Sequence, residues 1–254
     1  MSATASSPPP ETALSPEERG IAIVRRADNR DIGFGNFSAN MRMILRNKHG
    51  QESERKIRIK TLEVESDGDK NLMIFDSPKD IKGTAFLTFT HKTGDDDQWL
   101  YLPALKRVKR ISSRNKSGSF MGSEFAYEDI TSQEVEKYTY KWIRDEPYDG
   151  RECFVVERYP VDRKNSGYSR QVIWIDKSEY REWKVEYYDR KQSLLKTLFV
   201  KGYEKYLDRY WRADEMNMIN HQNGKSTILL WSDYEFRVGL EDHDFNKNSL
   251  KRAK

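Results

Sequence analysis

The sequence predicts a mainly β fold, a single domain in which about a dozen antiparallel strands follow one another as a meander behind one helix. Three observations predict it. Apolar and polar residues alternate strictly over one run after another, the period-two signature of a sheet with one apolar and one wet face. Turn dipeptides that favour positive φ fall between those runs. And one segment alone combines helical spacing with clear caps.

The elements follow in order. Residues 1–14 are rich in Ser, Ala, Thr and Pro and are expected to form a disordered tail, with Met1 standing where an export signal has been removed. Residues 15–254 are expected to form one domain. A helix is predicted over residues 15–30: Ser15 caps it and pairs with Glu18 in a capping box, and Pro16 suits the first helical position. Ile21, Val24 and Ala27 make its expected buried stripe. Beyond Gly35 the period changes. Phe37, Ala39, Met41, Met43 and Leu45 share a face, as do Ile57 with Ile59, Tyr138 with Tyr140 and Trp142, Trp183 with Val185 and Tyr187, and Met216 with Met218. His49-Gly50, Asp67-Gly68, Thr93-Gly94-Asp95, Asp149-Gly150 and Asn223-Gly224 supply the turns, with Asp176-Lys177 and Asp189-Arg190 as further ones. The continuous apolar runs Val172–Ile175 and Leu194–Val200 are expected to be central and covered on both sides. A short second helix is expected near Ser123 to Glu134. One long helix, one short one and some loops are little cover for so much apolar sheet face. The sheet must close on itself, or curl and leave an apolar cavity.

Composition excludes more than it proposes. Charged residues are 34% of the chain, so much of every element faces water, while the 31 aromatics (14 Tyr, 11 Phe and 6 Trp) argue against disorder. A net charge of +4 from 45 basic and 41 acidic residues is too balanced to imply nucleic acid, and no RNA-binding aromatic motif is present. Cys153 is the single cysteine, which leaves no internal disulfide and no thiolate cluster. No run of 18 apolar residues exists to make a membrane-spanning helix. His49, His91, His221 and His243 are scattered without metal-ligand spacing. Ser119 follows Gly118 directly and so makes no nucleophile elbow, and Gly33-Phe-Gly35 is no dinucleotide fingerprint. Asp95-Asp-Asp97 reads as a solvated hairpin tip. Neither a catalytic residue nor a cofactor or metal is therefore expected.

The most informative stretch runs from Trp99 to Ile130. An apolar strand breaks at Pro103, and a basic strand follows. Then comes a Ser/Gly-rich loop that carries Phe120, Met121 and Phe125, where catalytic groups would sit in an enzyme. Trp99-Leu-Tyr-Leu-Pro-Ala-Leu-Lys-Arg-Val, Ser117-Gly-Ser-Phe-Met-Gly-Ser123 and Tyr127-Glu-Asp129 together resemble the signature of the LolA-like outer-membrane lipoprotein-sorting family. The C-terminal half agrees in order, through Trp174-Ile-Asp176, Lys184 to Asp189, Leu195-Lys-Thr197, Met216 to Asn220, His221 to Thr227, Ser232-Asp233, Val238-Gly239 and Phe245. The similarity spans residues 18–254 and departs at Glu241-Asp-His-Asp, which replaces a Pro-containing turn.

That resemblance implies a half-open antiparallel β-barrel with an apolar concave side and helices, the N-terminal one and a short second one, over its mouth. It also implies a periplasmic carrier for lipid or lipoprotein acyl chains, including hopanoid-like cargo; a monomer is expected. The subfamily is associated with RND-type membrane exporters, so the expected partners are such an exporter or an outer-membrane acceptor. The expected cavity lining is Met41, Met43, Leu45, Ile57, Ile59, Trp142, Trp183, Val185, Met216 and Met218, with methionines suited to chains of several shapes. Phe120, Met121 and Phe125 are the expected lid. Lys106, Arg107, Lys109, Arg110, Arg114 and Lys116 are the expected docking surface for a membrane-bound partner or anionic head groups. A non-carrying accessory subunit of an exporter is the second reading, and a lipid-modifying esterase the third.

Overall fold

A computed structural model describes residues 14–251; the expected tail at residues 1–14 lies, but for Leu14, outside them. Helix α1 (Pro16–Asp31) starts at Ser15, whose hydroxyl accepts the Glu18 N–H at 3.2 Å while the Glu18 carboxylate accepts the Ser15 N–H at 2.9 Å. The capping box is thus formed as the sequence predicts. The buried face differs: Gly20 and Ile23 are buried, Val24 and Ala27 half-buried, and Ile21 points to solvent. Gly20 decides this. A Cβ there would lie 2.7 Å from the Trp142 backbone nitrogen, so only glycine lets the helix approach that strand.

Thirteen strands follow: β1 (Asn36–Arg46), β2 (Glu52–Leu62), β3 (Lys70–Ser77), β4 (Ala85–Phe89), β5 (Asp97–Leu102), β6 (Arg107–Ile111), β7 (Tyr138–Tyr148), β8 (Arg151–Pro160), β9 (Tyr168–Asp176), β10 (Glu182–Asp189), β11 (Leu194–Tyr206), β12 (Tyr210–Asn220) and β13 (Ser226–Phe236). They form one antiparallel sheet in the order β6-β5-β4-β3-β2-β1-β13-β12-β11-β10-β9-β8-β7. Two meanders, β1–β6 and β7–β13, are therefore joined where the first strand pairs with the last. That pairing runs from Phe37↔Phe236 to Arg46↔Ser226. The predicted turns close the hairpins, and Asp149 with Gly150, at φ 48° and 75°, shows the two successive left-handed residues that a tight hairpin requires.

The sheet is open but strongly curled. Flat, thirteen strands would stretch roughly 58 Å from edge to edge. Yet Ile111 of β6 and Tyr140 of β7, on opposite edges, share one apolar cluster with Met41 of β1 and Ile23 of α1. The outer face is covered only in places. Phe245 and Leu250, the latter in the short helix α2 (Lys247–Leu250), pack on Leu72, Ile74, Leu87 and Trp99 of β3–β5. Of the two runs expected to be covered on both sides, Val172–Ile175 is fully buried, whereas Leu194 is exposed at the start of β11. Cys153 is buried among Val155, Val172 and Trp174, and burial pushes its thiol up to about 11.

The two free edges, β6 and β7, are linked by residues 112–137. The expected second helix within them is not an α-helix. The segment instead makes tight 3-10 turns at Tyr127–Asp129 and Val135–Lys137, because its polar groups are satisfied by the sheet it crosses rather than by a helical ladder.

Candidate functional site

The segment 112–137 lies across the concave face. Residues 119–126 double back on themselves, with Ser119 bridging Ala126, the Phe120 N–H donating to the Phe125 carbonyl at 2.7 Å and the Ser123 N–H donating to the Phe120 carbonyl at 3.0 Å. Met121 and Gly122 take left-handed φ values of 51° and 79° at the tip. The serines serve this turn: the Ser119 hydroxyl donates to the Ser123 carbonyl at 2.6 Å and the Ser123 hydroxyl to the Phe120 carbonyl at 2.7 Å. Phe120 is driven inward and is fully buried, with ring centroids 5.1 Å from Phe86, 5.5 Å from Tyr127 and 6.2 Å from Phe75.

Polar contacts fasten this plug to both halves of the sheet. Arg55 of β2 donates to the Met121 carbonyl. On the other half, the Glu124 N–H donates to the Thr227 hydroxyl at 3.0 Å, and Asn220 donates to the Glu124 carboxylate at 2.7 Å. Lys196 of β11, 4% exposed, is a buried charged anchor. Its ammonium donates to Asp129 at 2.7 Å and to the Glu124 carbonyl at 2.8 Å, and the Tyr168 hydroxyl donates to Asp129 at 2.9 Å. Glu128 accepts from Ser166 and from the Gly167 N–H, each at 2.8 Å, and burial raises its carboxyl to about 6.

The structure brings most of the predicted lining together. Met41, Met43, Ile57, Ile59, Val185 and Met218 sit in the main core cluster, with Leu45, Trp142 and Met216 half-buried against it. Trp183 is set apart beside a register shift in β10, its indole donating to Asp176 at 2.8 Å and meeting Tyr203 edge-on. The predicted lid is in the same cluster: Phe120 and Phe125 lie within it and Met121 packs against it. These residues fill the concavity rather than roof an empty one. A cavity of about 320 Å³ opens elsewhere, at the seam between the free edges, lined by Gln98 and Ile111 on one side, Tyr138 and Pro160 on the other, and Lys116, Glu128 and Thr131 of the linking segment.

The basic residues lie along an edge strand. Lys106, Arg107, Lys109 and Arg110 are exposed beside Leu105, itself 68% exposed. Arg110 pairs with Asp97 at 2.6 Å and Lys116 with Asp162 at 2.7 Å, whereas Lys106, Arg107, Lys109 and Arg114 have no ion-pair partner among the described residues.

Alternation along the chain gave no sign of the charged groups inside: Arg158, Lys196, Asp129, Glu128, and the pair Asp69 and Glu134. The available signal was register, since Arg158 falls on the same face as Phe154 and Val156. Glu134 and Asp69 lie where the linking segment meets the β2–β3 turn, with Asp28 of α1, Lys92 and Lys137 nearby. Burial, reinforced by their mutual repulsion for Glu134, raises Glu134 to about 7 and burial raises Asp69 to about 6. The folded state then binds more protons than the unfolded state between about pH 4 and pH 7, so stability rises on acidification through that window and is lost as pH rises. Glu134→Gln is expected to raise Tm at about pH 8 and to flatten the pH dependence of Tm; an unchanged slope would show that the lysines neutralise the pair.

Residues 67–252 match the model of a family described as uncharacterized protein. A solved domain from Vibrio parahaemolyticus, assigned to outer membrane lipoprotein sorting, is 59% identical and superposes with a TM-score of 0.91 over 93% of this chain and 100% of that one. A DUF1329 family protein from Desulfovibrio piger is 32% identical over the same shares, with a TM-score of 0.87. A LolA superfamily protein from Nitrosomonas europaea shares the fold at 21% identity, with a TM-score of 0.73 over 93% of this chain and 100% of that one. No curated protein matches the chain.

Proposed function

Because this chain belongs to the DUF1329 family of LolA-like proteins, we propose that it is a periplasmic carrier, one that shields lipid or lipoprotein acyl chains against its concave face and passes them between membranes. The observation that carries this reading is the plug. Phe120, an aromatic buried as completely as any in the concavity, belongs to a segment that is not a strand of the sheet and is fastened to it by side-chain contacts. Withdrawing Phe120, Met121 and Phe125 opens the apolar cluster they share with Met41, Met43, Ile57, Ile59 and Met218, where each methylene sheltered from water is worth about 0.8 kcal/mol. A long chain can therefore replace the plug's own contacts, and bound cargo selects the open arrangement by that difference.

Delivery is the task of the basic edge, with an RND-type exporter or an outer-membrane acceptor as the partner. Four exposed cations around a protruding leucine suit an anionic surface with apolar depth behind it. Changing Lys106, Arg107, Lys109 and Arg110 together to Glu is expected to abolish transfer to acceptor membranes and to leave loading unchanged; loss of loading would refute this division of labour.

A second reading has a specific observation in its favour: the concave face is filled by the protein's own side chains, as suits a scaffold subunit of an exporter that carries nothing. Native mass spectrometry of protein purified without detergent from a lipid-containing host separates the two. Co-purifying lipid supports carriage, whereas an empty protein that holds an exporter tightly supports scaffolding.

A further inference from the structure

Among the described residues two cations are buried inside the concavity, and they are not alike. Lys196 is saturated, with a carboxylate and a carbonyl at hydrogen-bond distance. Arg158 of β8 is 6% exposed, and its Nε donates to the Gln171 side-chain oxygen at 2.6 Å. That is its only hydrogen bond among the described residues. The nearest carboxylate oxygen, on Glu182, is 3.9 Å away, beyond hydrogen-bond reach. The rest of its shell is aromatic: the guanidinium lies 5.0 Å from the centre of the Tyr138 ring, and Tyr140 and Tyr187 flank it. A guanidinium carries five N–H donors in a rigid fork, so with only Nε engaged the Nη donors keep their capacity for a ligand. Burial holds the Glu182 carboxyl above its ordinary value, and the neighbouring arginine offsets part of that rise.

Two of the arginine's neighbours border cavities, although Arg158 itself lines neither. Tyr138, on one side of it, lines the cavity of about 320 Å³ at the seam. Glu182, on the other, lines a second cavity of about 160 Å³ beneath the end of α1, with Tyr203 and Trp211. Between these spaces Arg158 presents a forked donor in a low-dielectric setting, the arrangement that recognises a carboxylate or a phosphate through two parallel hydrogen bonds.

We propose that Arg158, positioned by Gln171, is an internal oxyanion site that holds the carboxylate or phosphate of an anionic amphiphile while its hydrocarbon lies on the concave face. This rests on the carrier reading above and adds the chemical class of the cargo. Binding of laurate, dodecyl phosphate, dodecanol and inorganic phosphate to the intact protein and to Arg158→Met tests it. The wild type is expected to hold laurate or dodecyl phosphate at least about tenfold more tightly than dodecanol, in line with the worth of a hydrogen bond to a charged group, and inorganic phosphate is expected not to bind. Whichever of the two anions binds more tightly names the head group. Arg158→Met should bring the anions down to the dodecanol level and leave dodecanol unchanged. Its Tm without ligand is read in parallel, because removing a buried charge raises it and leaving Glu182 without its partner at 3.9 Å lowers it. Arg158→Lys, which keeps the charge without the fork, should fall between, and it serves in place of Arg158→Met should that variant not fold.

Equal binding of all three chain compounds to both proteins would leave the carrier standing and overturn the oxyanion site. A lower Tm in Arg158→Met with the anion preference intact would mark Arg158 as structural. Inorganic phosphate bound as tightly as dodecyl phosphate would make this a site for the free ion and overturn the amphiphile. Failure of the wild type to bind any chain compound would sink the carrier reading and this site together.

Discussion

Lys196→Met is expected to destabilise the protein by about 3–5 kcal/mol, the usual cost of stripping one partner from a buried ion pair. Lys196 and Asp129 both have side chains only 4% exposed, so water cannot take the place of the lost ammonium. Asp129 would keep the Tyr168 hydroxyl at 2.9 Å and the Ala126 N–H at 2.7 Å, two hydrogen bonds but no counter-charge. The penalty therefore falls on residues 112–137, which Asp129 belongs to, and the segment should come away from the sheet. Urea denaturation at neutral pH reads the first effect, and faster proteolytic cleavage within 112–137 reads the second. Adding Asp129→Asn should recover much of the loss, because no unpaired charge then remains. A loss below about 1 kcal/mol in the single variant would place the anchoring elsewhere, for the pair would then be no stronger than an exposed one.

Phe120→Ala should cost a comparable amount, about 3–5 kcal/mol, as truncation of a fully buried phenylalanine does. The partners Phe75, Phe86 and Tyr127 are themselves held by strands and a turn and cannot collapse into the gap completely. What distinguishes a plug from ordinary core is the response to ligand. A long-chain compound that lies where Phe120 lay should restore Tm in Phe120→Ala, and should raise it more there than in the wild type, where the ring must first be expelled. If such compounds leave the variant's Tm untouched, Phe120 is core and the concavity is not a binding space.

Much of this fold was legible because one-sided burial imposes a period of two. A slip of one residue would turn Met41, Met43, Ile57 and Ile59 to water, so their register is written into the chain. The turns and the capping box were legible because positive φ and unpaired helix N–H groups demand particular residue types. What escaped depends on distant partners. The face that α1 buries is set by where β7 lies, and the trace of it is Gly20, a helix-interior glycine that allows backbone to approach backbone. The pairing of β1 with β13 has no local signature. The 123–134 segment reads as helix because its composition permits one, but anchors to Thr227, Lys196 and Gly167 outweigh the helical ladder. Of the candidate site, the apolar wall and its plug were visible as pattern, apart from Trp183. Arg158 and Lys196 were not, because a charge inside a greasy trough breaks the very rule used to find the trough.

The strand order also fixes how such a molecule can flex. The long ladder between β1 and β13 stands at the middle of the sheet and acts as a spine, whereas β6 and β7, the outermost strands, share no ladder at all. Spreading those two apart ruptures no main-chain pairing within the sheet; what resists it is the strap that ties them and the apolar packing they share. The shell is therefore stiff along its back and yielding at its lips, and the strap that sets how far the lips part also bears Phe120.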